Sequence, residues 1–415
     1  MARILAYTSP ARGHLYPLVP ILDELRERGH DIVLRTLASE VGPMRERGFE
    51  SAPIDPAIEN LKHDDYLARG AVGSLKRSVH VFKKRAPLDA KDLTRAIDGV
   101  EPSAVLADIN TWGAMASAEA WGGPWATWCP YPLPLRSRSA PPFGPGLAPA
   151  RGLMGHLRDA LLRPLIFGSL ERIMVPRMNE LRQQNGLPRI EGADDMFSAP
   201  PLLLYMTAEP FEYPRSDWAP NVRLVGPCAW DPPAAPPEWL NDVDEPLVLV
   251  TTSSEFQDDG RLAECALEAL AGEDIHVVVT APSIAPTKFD PPPNARVLSF
   301  LPHGPILDRA VCAITHGGMG ATQKALARGV PVCAVAFGRD QLEVARRVEI
   351  AGAGTRLLAK KLRPDRLRAA VHEAIGCREG AGRIALAYRD AGGPQAAADG
   401  IENLLAPDFR SSAGL

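Results

Sequence analysis

The chain has 415 residues, and at about 150 residues per domain this length predicts two or three domains. Its 46% hydrophobic and 23% charged residues are typical of a folded globular protein, and a net charge of −4 gives no support for a broad nucleic-acid-binding surface. Six cysteines without a C-x-x-C pair argue against a disulfide scaffold, so we expect a cytoplasmic protein, and no apolar run approaches the ~20 residues of a membrane span.

The first half of the chain alternates strands and helices. Residues 3–36 predict a strand, a helix that starts near Pro17 and a second strand. This βαβ order implies a parallel sheet. The pattern recurs at 104–121, where a short strand closes on Asp108 and a helix follows, so we expect a doubly wound first domain.

Proline is frequent, with 41 residues, and two stretches concentrate it. Seven prolines in 130–149 indicate a long, stiff loop, and six in 227–246 indicate a linker between domains. Beyond the linker the alternation of strands and helices restarts. We therefore expect two doubly wound, Rossmann-like α/β domains that face each other across a crevice. Their division is an N-terminal domain (1–226), the Pro-rich linker (227–246), a C-terminal domain (247–394), and a helix with its tail (395–415) that packs back toward the first domain.

The strongest chemical motif is the run Thr-His-Gly-Gly-Met-Gly-Ala-Thr at 315–322. An apolar strand ends at His316, glycines then allow close backbone approach, and a helix begins at once. The unpaired N–H groups and the positive dipole end of that helix predict an anion site, most simply for phosphate. A glycine-rich turn with a structural histidine is the alternative interpretation.

Two polar residues, Asp340 and Gln341, follow the strand predicted at 330–336. A carboxylate beside an amide can accept hydrogen bonds from several hydroxyl groups and donate to them, as sugar recognition requires. Alternatively, Asp340 caps the following helix.

In the first domain, His14 follows the first strand and could act as a general base in the crevice. Asp108 ends a second parallel strand on the same side of the sheet. There it could hold the imidazole in one tautomer and stabilise its protonated form. The alternatives are a structural histidine and a carboxylate that caps the following helix.

Motifs for other chemistries are weak or missing from the sequence. Asp242 and Asp244 form a D-x-D pair that could bind a divalent metal, but they lie in the acidic linker, where a solvated segment is the simpler interpretation. The chain has no G-x-x-x-x-G-K, no H-E-x-x-H and no G-x-S-x-G. We therefore expect no metal site.

Together these motifs resemble the family 1 glycosyltransferases with the GT-B fold, especially the bacterial enzymes that glycosylate macrolides and other polyketide antibiotics. The resemblance covers nearly the whole chain. Its N-terminal part is Gly-His-Leu-Tyr-Pro (13–17). Its C-terminal part comprises Phe-Leu-Pro-His (300–303), His-Gly-Gly-Met-Gly (316–320), Gly-Val-Pro (329–331) and Asp-Gln (340–341).

The resemblance implies an inverting transfer of a sugar from a UDP- or dTDP-linked donor to a hydroxyl of a hydrophobic natural product, without a metal or other cofactor. It implies that His14 deprotonates the acceptor and that Asp108 orients His14. It also implies a set of donor-binding residues: Ser253, Ser254, Phe300, Leu301, His316, Gly318, Met319, Gly320, Ala321, Thr322, Asp340 and Gln341.

The chain departs from the family pattern at three positions of the donor site. Lys324 stands where the family often has an acidic ribose ligand, and a lysine cannot accept hydrogen bonds from hydroxyl groups. His303 replaces the usual Gln, and Phe300 replaces the usual Trp that packs on the base.

The acceptor pocket is expected in the first domain, between the segment 58–90 and the Pro-rich loop. Its expected walls are Phe82, Trp112, Tyr131 and Phe143, although each could belong to the core. A basic run at 76–85 could favour an acidic acceptor, but a solvated helix face is the simpler interpretation.

Two other functions share this fold. A nucleotide-sugar epimerase or hydrolase would need no hydrophobic acceptor pocket, and a non-catalytic protein that binds sugar nucleotides would need no base. The pairing of His14 with Asp108 argues against the binding protein. The expected partners are a nucleotide sugar and a small hydrophobic acceptor, without nucleic acid, and the chain would act as a monomer or a homodimer.

Overall fold

The computed structural model describes residues 1–68, 70–253 and 259–406. The strands of this part of the chain belong to two sheets. They are β1 (Arg3–Tyr7), β2 (Asp31–Thr36), β3 (Glu50–Pro53), β4 (Ala104–Asp108), β5 (Trp125–Cys129), β6 (Leu202–Tyr205), β7 (Val222–Leu224), β8 (Leu247–Thr251), β9 (His276–Thr280), β10 (Ala295–Leu298), β11 (Ala310–Thr315), β12 (Val332–Ala336) and β13 (Gly354–Leu358).

Helices alternate with the strands along the chain. Among the described helices, none is long and apolar enough to cross a membrane. They are α1 (Arg12–Glu27), α2 (Val41–Glu46), α3 (Pro56–Glu59), α4 (Gly70–Val100), α5 (Trp112–Trp121), α6 (Gly152–Gln184), α7 (Ala193–Ser198), α8 (Gly260–Ala269), α9 (His303–Leu307), α10 (Met319–Leu326), α11 (Gln341–Ile350), α12 (Pro364–Ile375), α13 (Arg378–Asp390) and α14 (Gly393–Leu405).

Each sheet is doubly wound, which confirms the predicted fold class. The first has the order β3-β2-β1-β4-β5-β6-β7, the second has the order β10-β9-β8-β11-β12-β13, and every pairing is parallel. The strand order reverses between β1 and β4 in the first sheet and between β8 and β11 in the second. The loops diverge at such a reversal and leave a crevice at the carboxyl ends of the strands, which is where ligands bind in this architecture.

The apolar strands explain why much of this topology is visible in the sequence. Every residue of β4, β8, β9 and β12 is buried. Strands of a parallel sheet are covered on both faces, so they are continuous hydrophobic runs. Helices on both faces supply this cover.

The helix α1 begins earlier than the sequence predicts. It starts at Arg12 rather than near Pro17, and it holds Pro17 and Pro20 inside it. His14 therefore lies in the first turn of α1 rather than in a loop, where its backbone N–H donates to the carbonyl of Ala11. The helix α10 starts at Met319, directly after Gly317 and Gly318, as the sequence predicts.

The chain leaves the first half after β7 and returns to it at α14, and these two points are adjacent. The N–H of Gly393, where α14 begins, donates to the carbonyl of Val225 at 2.7 Å. From there α14 packs against α1, and Arg28 of the first half pairs with Asp399 and Glu402 at 2.7 Å each.

The Pro-rich segment 227–246 lies between β7 of the first sheet and β8 of the second. Residues 227–246 form one 3₁₀ turn, at Glu238–Asp242, and Asp242 and Asp244 are exposed. Within residues 1–68, 70–253 and 259–406, no three His, Cys, Asp or Glu side chains gather as a candidate metal site.

Candidate functional site

A crevice with a cavity of about 450 Å³ lies between the two halves. Its walls come from the carboxyl ends of both sheets, at the two points where the strand order reverses. The first half contributes the start of α1 and the loop after β4. The second half contributes the loops after β8, β11 and β12. Candidate residues of both halves, among them His14, His316 and Asp340, therefore face one space.

His14 and Asp108 form a hydrogen-bonded pair in this crevice. His14 Nδ1 lies 2.8 Å from Asp108 Oδ1, and the Asp108 side chain is fully buried. Asp108 also accepts hydrogen bonds from the Ser9 N–H and hydroxyl, at 2.9 and 2.7 Å, and from the Asn110 N–H at 2.9 Å. Burial alone would raise the pKa of Asp108, but His14 and these donors hold it below its ordinary value. The carboxylate is therefore charged and fixed in place.

Two further residues extend this pair through a link that was not predicted from the sequence. Asn110 Nδ2 lies 3.1 Å from His14 Nε2, and the Tyr131 hydroxyl donates to Asn110 Oδ1 at 2.8 Å. Asn110 stands two residues after Asp108, so a D-x-N pattern at a strand end was the available signal. Tyr131, expected as a wall of the acceptor pocket, also belongs to this chain of hydrogen bonds.

The opposite side of the crevice is formed by His316 and the helix α10. Gly317 has a φ of +82°, which glycine adopts without strain. A Cβ on Gly318 would lie 2.4 Å from His316 Nε2, so a glycine is needed for the imidazole to lie over this turn. Burial lowers the pKa of His316, so its imidazole is neutral and carries one N–H donor.

The first turn of α10 presents its N–H groups to the crevice. Gly318, Met319, Gly320 and Ala321 all line it, and the first N–H groups of a helix have no partner within the helix. Thr322 does not belong to this group. Its N–H bonds the Gly318 carbonyl, and its fully buried hydroxyl lies 3.3 Å from that of Thr315, because this side of α10 packs on β11.

The other expected donor residues surround this turn. Ser253 lines the crevice, and its N–H donates to Asp259 at 2.6 Å, which holds the loop after β8. Ser254 lies outside the described residues. Phe300 also lines the crevice with half of its surface exposed, and the buried Leu301 follows it.

Asp340 and Gln341 have different roles at the start of α11. Asp340 stands at the N-cap position, but its side chain makes no capping hydrogen bond and it lines the crevice. Burial raises the pKa of this carboxyl above its ordinary value. Gln341 instead turns its amide oxygen inward, toward the N–H groups of Phe337 and Gly338 at 2.8 and 3.0 Å. The Gln341 oxygen thus shapes the loop, while Gln341 also lines the crevice, so its contact with the donor sugar stays a prediction.

An unforeseen ion pair joins the two halves beside Asp340. Arg339 donates through Nε and Nη2 to the two carboxylate oxygens of Asp65, at 2.7 and 2.9 Å, and Asp65 is buried. A two-pronged contact of this kind fixes both position and angle. It connects the loop after β12 to the segment before α4, 274 residues away in the chain.

Two of the three positions that depart from the family pattern have partners in the structure. Lys324 Nζ lies 2.5 Å from Asp231 Oδ1, and both residues line the crevice. Lys324 stands where the family often has an acidic residue, and Asp231 of the linker supplies a carboxylate beside it. His303 Nε2 contacts the Thr280 hydroxyl at 3.1 Å, and burial with the nearby Lys324 charge lowers the pKa of His303 to about 4.

The apolar end of the crevice lies within the first half. Phe82, Trp112, Tyr131 and Phe143 all line it, and the rings of Phe82 and Trp112 are 5.4 Å apart. Helices α6 and α7 complete the chamber with apolar side chains, among them Phe167, Leu170, Met174 and Phe197.

The basic run at 76–85 has two parts. Lys76, Arg77 and Lys84 are exposed on α4, as a solvated face requires. Arg85 is buried and donates to the Leu61 carbonyl, so the solvated interpretation is wrong for this residue. Its guanidinium holds the segment before α4 against the helix.

Comparison with known proteins gives one consistent result. Residues 264–402 match the family model of the erythromycin biosynthesis protein CIII-like C-terminal domain. The chain is 33% identical to 4'-demethylrebeccamycin synthase of Lentzea aerocolonigenes, over 90% of this chain and 92% of the relative. It is 27% identical to demethyllactenocin mycarosyltransferase of Streptomyces fradiae, over 98% and 87% of the two chains.

The solved structures agree with this result at the level of the fold. The kitacinnamycin glycotransferase superposes with a TM-score of 0.76 at 24% identity, and the alignment covers 98% of this chain and 99% of that one. The calicheamicin glycosyltransferase CalG4 gives a TM-score of 0.74 at 22% identity, over 98% of each chain. The chain therefore belongs to the family 1 glycosyltransferases of the GT-B fold, and it is a glycosyltransferase related to the enzymes of antibiotic biosynthesis.

Proposed function

We propose that this enzyme transfers a sugar from a UDP- or dTDP-linked donor to a hydroxyl group of a hydrophobic natural product, with inversion at the anomeric carbon. One observation carries the proposal. The His14–Asp108 pair faces, within a single crevice, the first turn of α10 on one side and an apolar chamber on the other. A base, an anion site and an apolar acceptor site are the three parts that such a transfer needs.

The proposed reaction is a single displacement. The acceptor hydroxyl gives its proton to His14 Nε2 while its oxygen attacks the anomeric carbon. The bond from that carbon to the diphosphate oxygen breaks, and the electron pair leaves with the diphosphate. The N–H groups of Met319, Gly320 and Ala321, with the N–H of His316, stabilise the growing negative charge on the leaving group. Asp340 accepts hydrogen bonds from the sugar hydroxyls.

The apolar chamber favours transfer over epimerisation or hydrolysis. An enzyme that only removes and re-adds a sugar needs room for that sugar and for water. Here Phe82, Trp112 and Phe143, with the side chains of α6 and α7, surround a space that would attract an apolar molecule. The direct test is a matrix of nucleotide sugars against flavonoid, macrolide and aromatic polyketide acceptors, with the added mass measured by mass spectrometry. Sugar consumption without any acceptor would contradict the proposal and support the epimerase.

A nucleoside diphosphate should stabilise the folded chain against heat, because specific binding favours the native state. His316→Ala should weaken binding of UDP or dTDP on the order of tenfold, since a hydrogen bond to a charged group is worth about 1.5–3 kcal/mol. The measurement is the rise in melting temperature against nucleotide concentration. The exposed residue His372 on α12 gives the control His372→Ala, and equal binding by the two variants would contradict the phosphate role of His316.

Asp108→Asn should lower kcat by up to about 10⁴-fold and leave the KM for the donor unchanged, because a neutral amide no longer stabilises the imidazolium or fixes its tautomer. Steady-state kinetics with the donor and acceptor varied in turn would measure both. Asp98, exposed on α4, supplies the matched control Asp98→Asn. A variant whose donor KM rises while kcat stays normal would count against the role of Asp108.

A further inference from the structure

We infer that Asn110 is a positioning residue that keeps His14 unprotonated, with the Nε2 lone pair facing the crevice, until an acceptor hydroxyl takes its place. The inference rests on the proposed role of His14 as the base. It is carried by the direction of each hydrogen bond in the chain that runs from Tyr131 through Asn110 and His14 to Asp108.

The carboxylate end of this chain fixes the imidazole tautomer. Asp108 is charged and can only accept hydrogen bonds, and Ser9 and the Asn110 backbone already donate to it. His14 Nδ1 must therefore carry a proton and donate it to Oδ1 at 2.8 Å. In the neutral imidazole, Nε2 is then left with a lone pair.

At the other end of this series of hydrogen bonds, Tyr131 fixes the orientation of the Asn110 side-chain amide. Burial raises the pKa of Tyr131 well above its ordinary value, so its hydroxyl keeps its proton and can donate it to Asn110 Oδ1 at 2.8 Å. With its oxygen held there, Asn110 turns Nδ2 toward His14 Nε2, at 3.1 Å. An N–H group thus meets the lone pair of the base.

This arrangement opposes protonation of the resting base. An N–H on Nε2 would face the N–H of Asn110, whereas Asp108 favours the imidazolium. Asp340 also acts on His14 from across the crevice. Arg12, two residues before His14 on the same helix, is paired with Glu40 at 2.6 Å. Asn110 therefore disfavours a proton on Nε2, against the attraction of Asp108 and Asp340 for that proton.

The amide also occupies the place that the substrate needs. At 3.1 Å from Nε2, the nitrogen of Asn110 stands at the hydrogen-bonding distance that an acceptor oxygen must reach. An arriving hydroxyl must displace it. Once the amide has moved, its N–H no longer disfavours a proton on Nε2. Asp108 then stabilises the imidazolium that proton transfer creates. The basicity of His14 then rises when the acceptor is bound.

The test is an NMR titration of the His14 imidazole in the full-length enzyme without substrates. Asn110→Asp replaces the N–H donor by a charged acceptor of the same shape, and an opposite charge this close should raise the pKa of His14 by about one unit or more. Tyr131→Phe frees the amide to turn over and should raise it by less. Asn60→Asp adds the same charge at an exposed site and should have no effect.

The pH profile of transfer separates this inference from the proposed function. If both hold, the acid limb of kcat/KM in Asn110→Asp moves to higher pH by the same amount as the imidazole titration. A titration that moves without the kinetic limb would support the role of Asn110 and overturn His14 as the base. An unchanged or lowered pKa of His14 in Asn110→Asp would overturn the inference. If that variant does not fold, an unchanged pKa in Tyr131→Phe would do so.

Discussion

Replacing His14 by alanine should lower kcat by about 10²–10⁴-fold, the usual contribution of a general base. The reason lies in the geometry of the pair. Nδ1 is bound to a fully buried carboxylate, so the only ring atom that His14 directs toward the crevice for chemistry is Nε2. Without the imidazole, the acceptor hydroxyl loses the base that Asp108 orients. Single-turnover kinetics with saturating donor and acceptor would measure the chemical step.

The donor site should survive this change, because His14 and the first turn of α10 belong to different halves of the chain. The rise in melting temperature with UDP or dTDP should therefore match that of the unaltered enzyme. His156, exposed on α6, gives the control His156→Ala, which should retain full activity. Transfer at a near-normal rate by His14→Ala would exclude His14 as the base.

The sequence predicted the parts of the site that follow from strand ends. His14, Asp108, His316 and Asp340 each stand just beyond a short apolar run, and such runs are recognisable because a parallel sheet buries both faces of its strands. The carboxyl ends of parallel strands share one edge of the sheet. It was therefore predictable that residues far apart in the chain would face one crevice.

Local sequence patterns did not predict the elements whose structure depends on packing against neighbours. The 31 residues of α4 include Pro87 and a basic run, and nothing in their sequence indicated a single long helix. The helix holds because it packs along α5 and α6. Strand β5, Trp-Ala-Thr-Trp-Cys, has neither a long apolar run nor a clear alternation, yet it lies fully buried between β4 and β6.

Sequence patterns could not predict the contacts between the two halves. The pairs Asp65–Arg339 and Asp231–Lys324 each join residues separated by more than 90 positions. No spacing rule connects such residues, because their distance depends on how two separate sheets meet. The same applies to the internal hydrogen bonds of Thr322 and of the Gln341 amide oxygen.

A buried ion network forms the most extensive of these contacts. Arg347 on α11 binds both oxygens of Glu212 at 2.9 and 3.0 Å, and it binds Glu343 on its own helix at 2.9 Å. The three side chains are at most 3% exposed. The other oxygen of Glu343 accepts from the N–H groups of Gly144 and Gly146, at 2.8 Å each. The network thus fastens the Pro-rich loop to the helix that begins at the donor site.

Arg347→Met should lower the free energy of unfolding by about 3–5 kcal/mol, because it leaves the buried Glu343 without its counter-charge and leaves Glu212 with Arg215 alone. Urea denaturation would measure the loss. The chain offers a matched control in Arg383→Met, since Arg383 and Glu379 have the same i, i+4 spacing but are exposed. That pair should contribute less than about 1 kcal/mol. Equal effects of the two substitutions would contradict the structural role of the network.

The pH dependence of the same network has a definite sign. Burial alone would raise the pKa of Glu212, but Arg347 and Arg215 lower it from 4.5 to about 2. A carboxyl whose pKa is lower in the folded state contributes stability above its unfolded pKa and loses it as the pH falls through the folded value. The stability difference between the unaltered enzyme and Arg347→Met should therefore be full above about pH 5 and shrink toward pH 2.

The loss of Arg347 should affect binding of the acceptor more than binding of the donor. Glu343 holds the backbone of the Pro-rich loop, and that loop carries Phe143, which lines the apolar chamber. When Arg347 is lost, Glu343 loses the partner that orients it, so the acceptor wall should loosen first. Under conditions where Arg347→Met is folded, we expect the KM for the acceptor to rise more than the KM for the donor. A rise in the donor KM alone would mean that the network serves α11 and Asp340 instead of the loop.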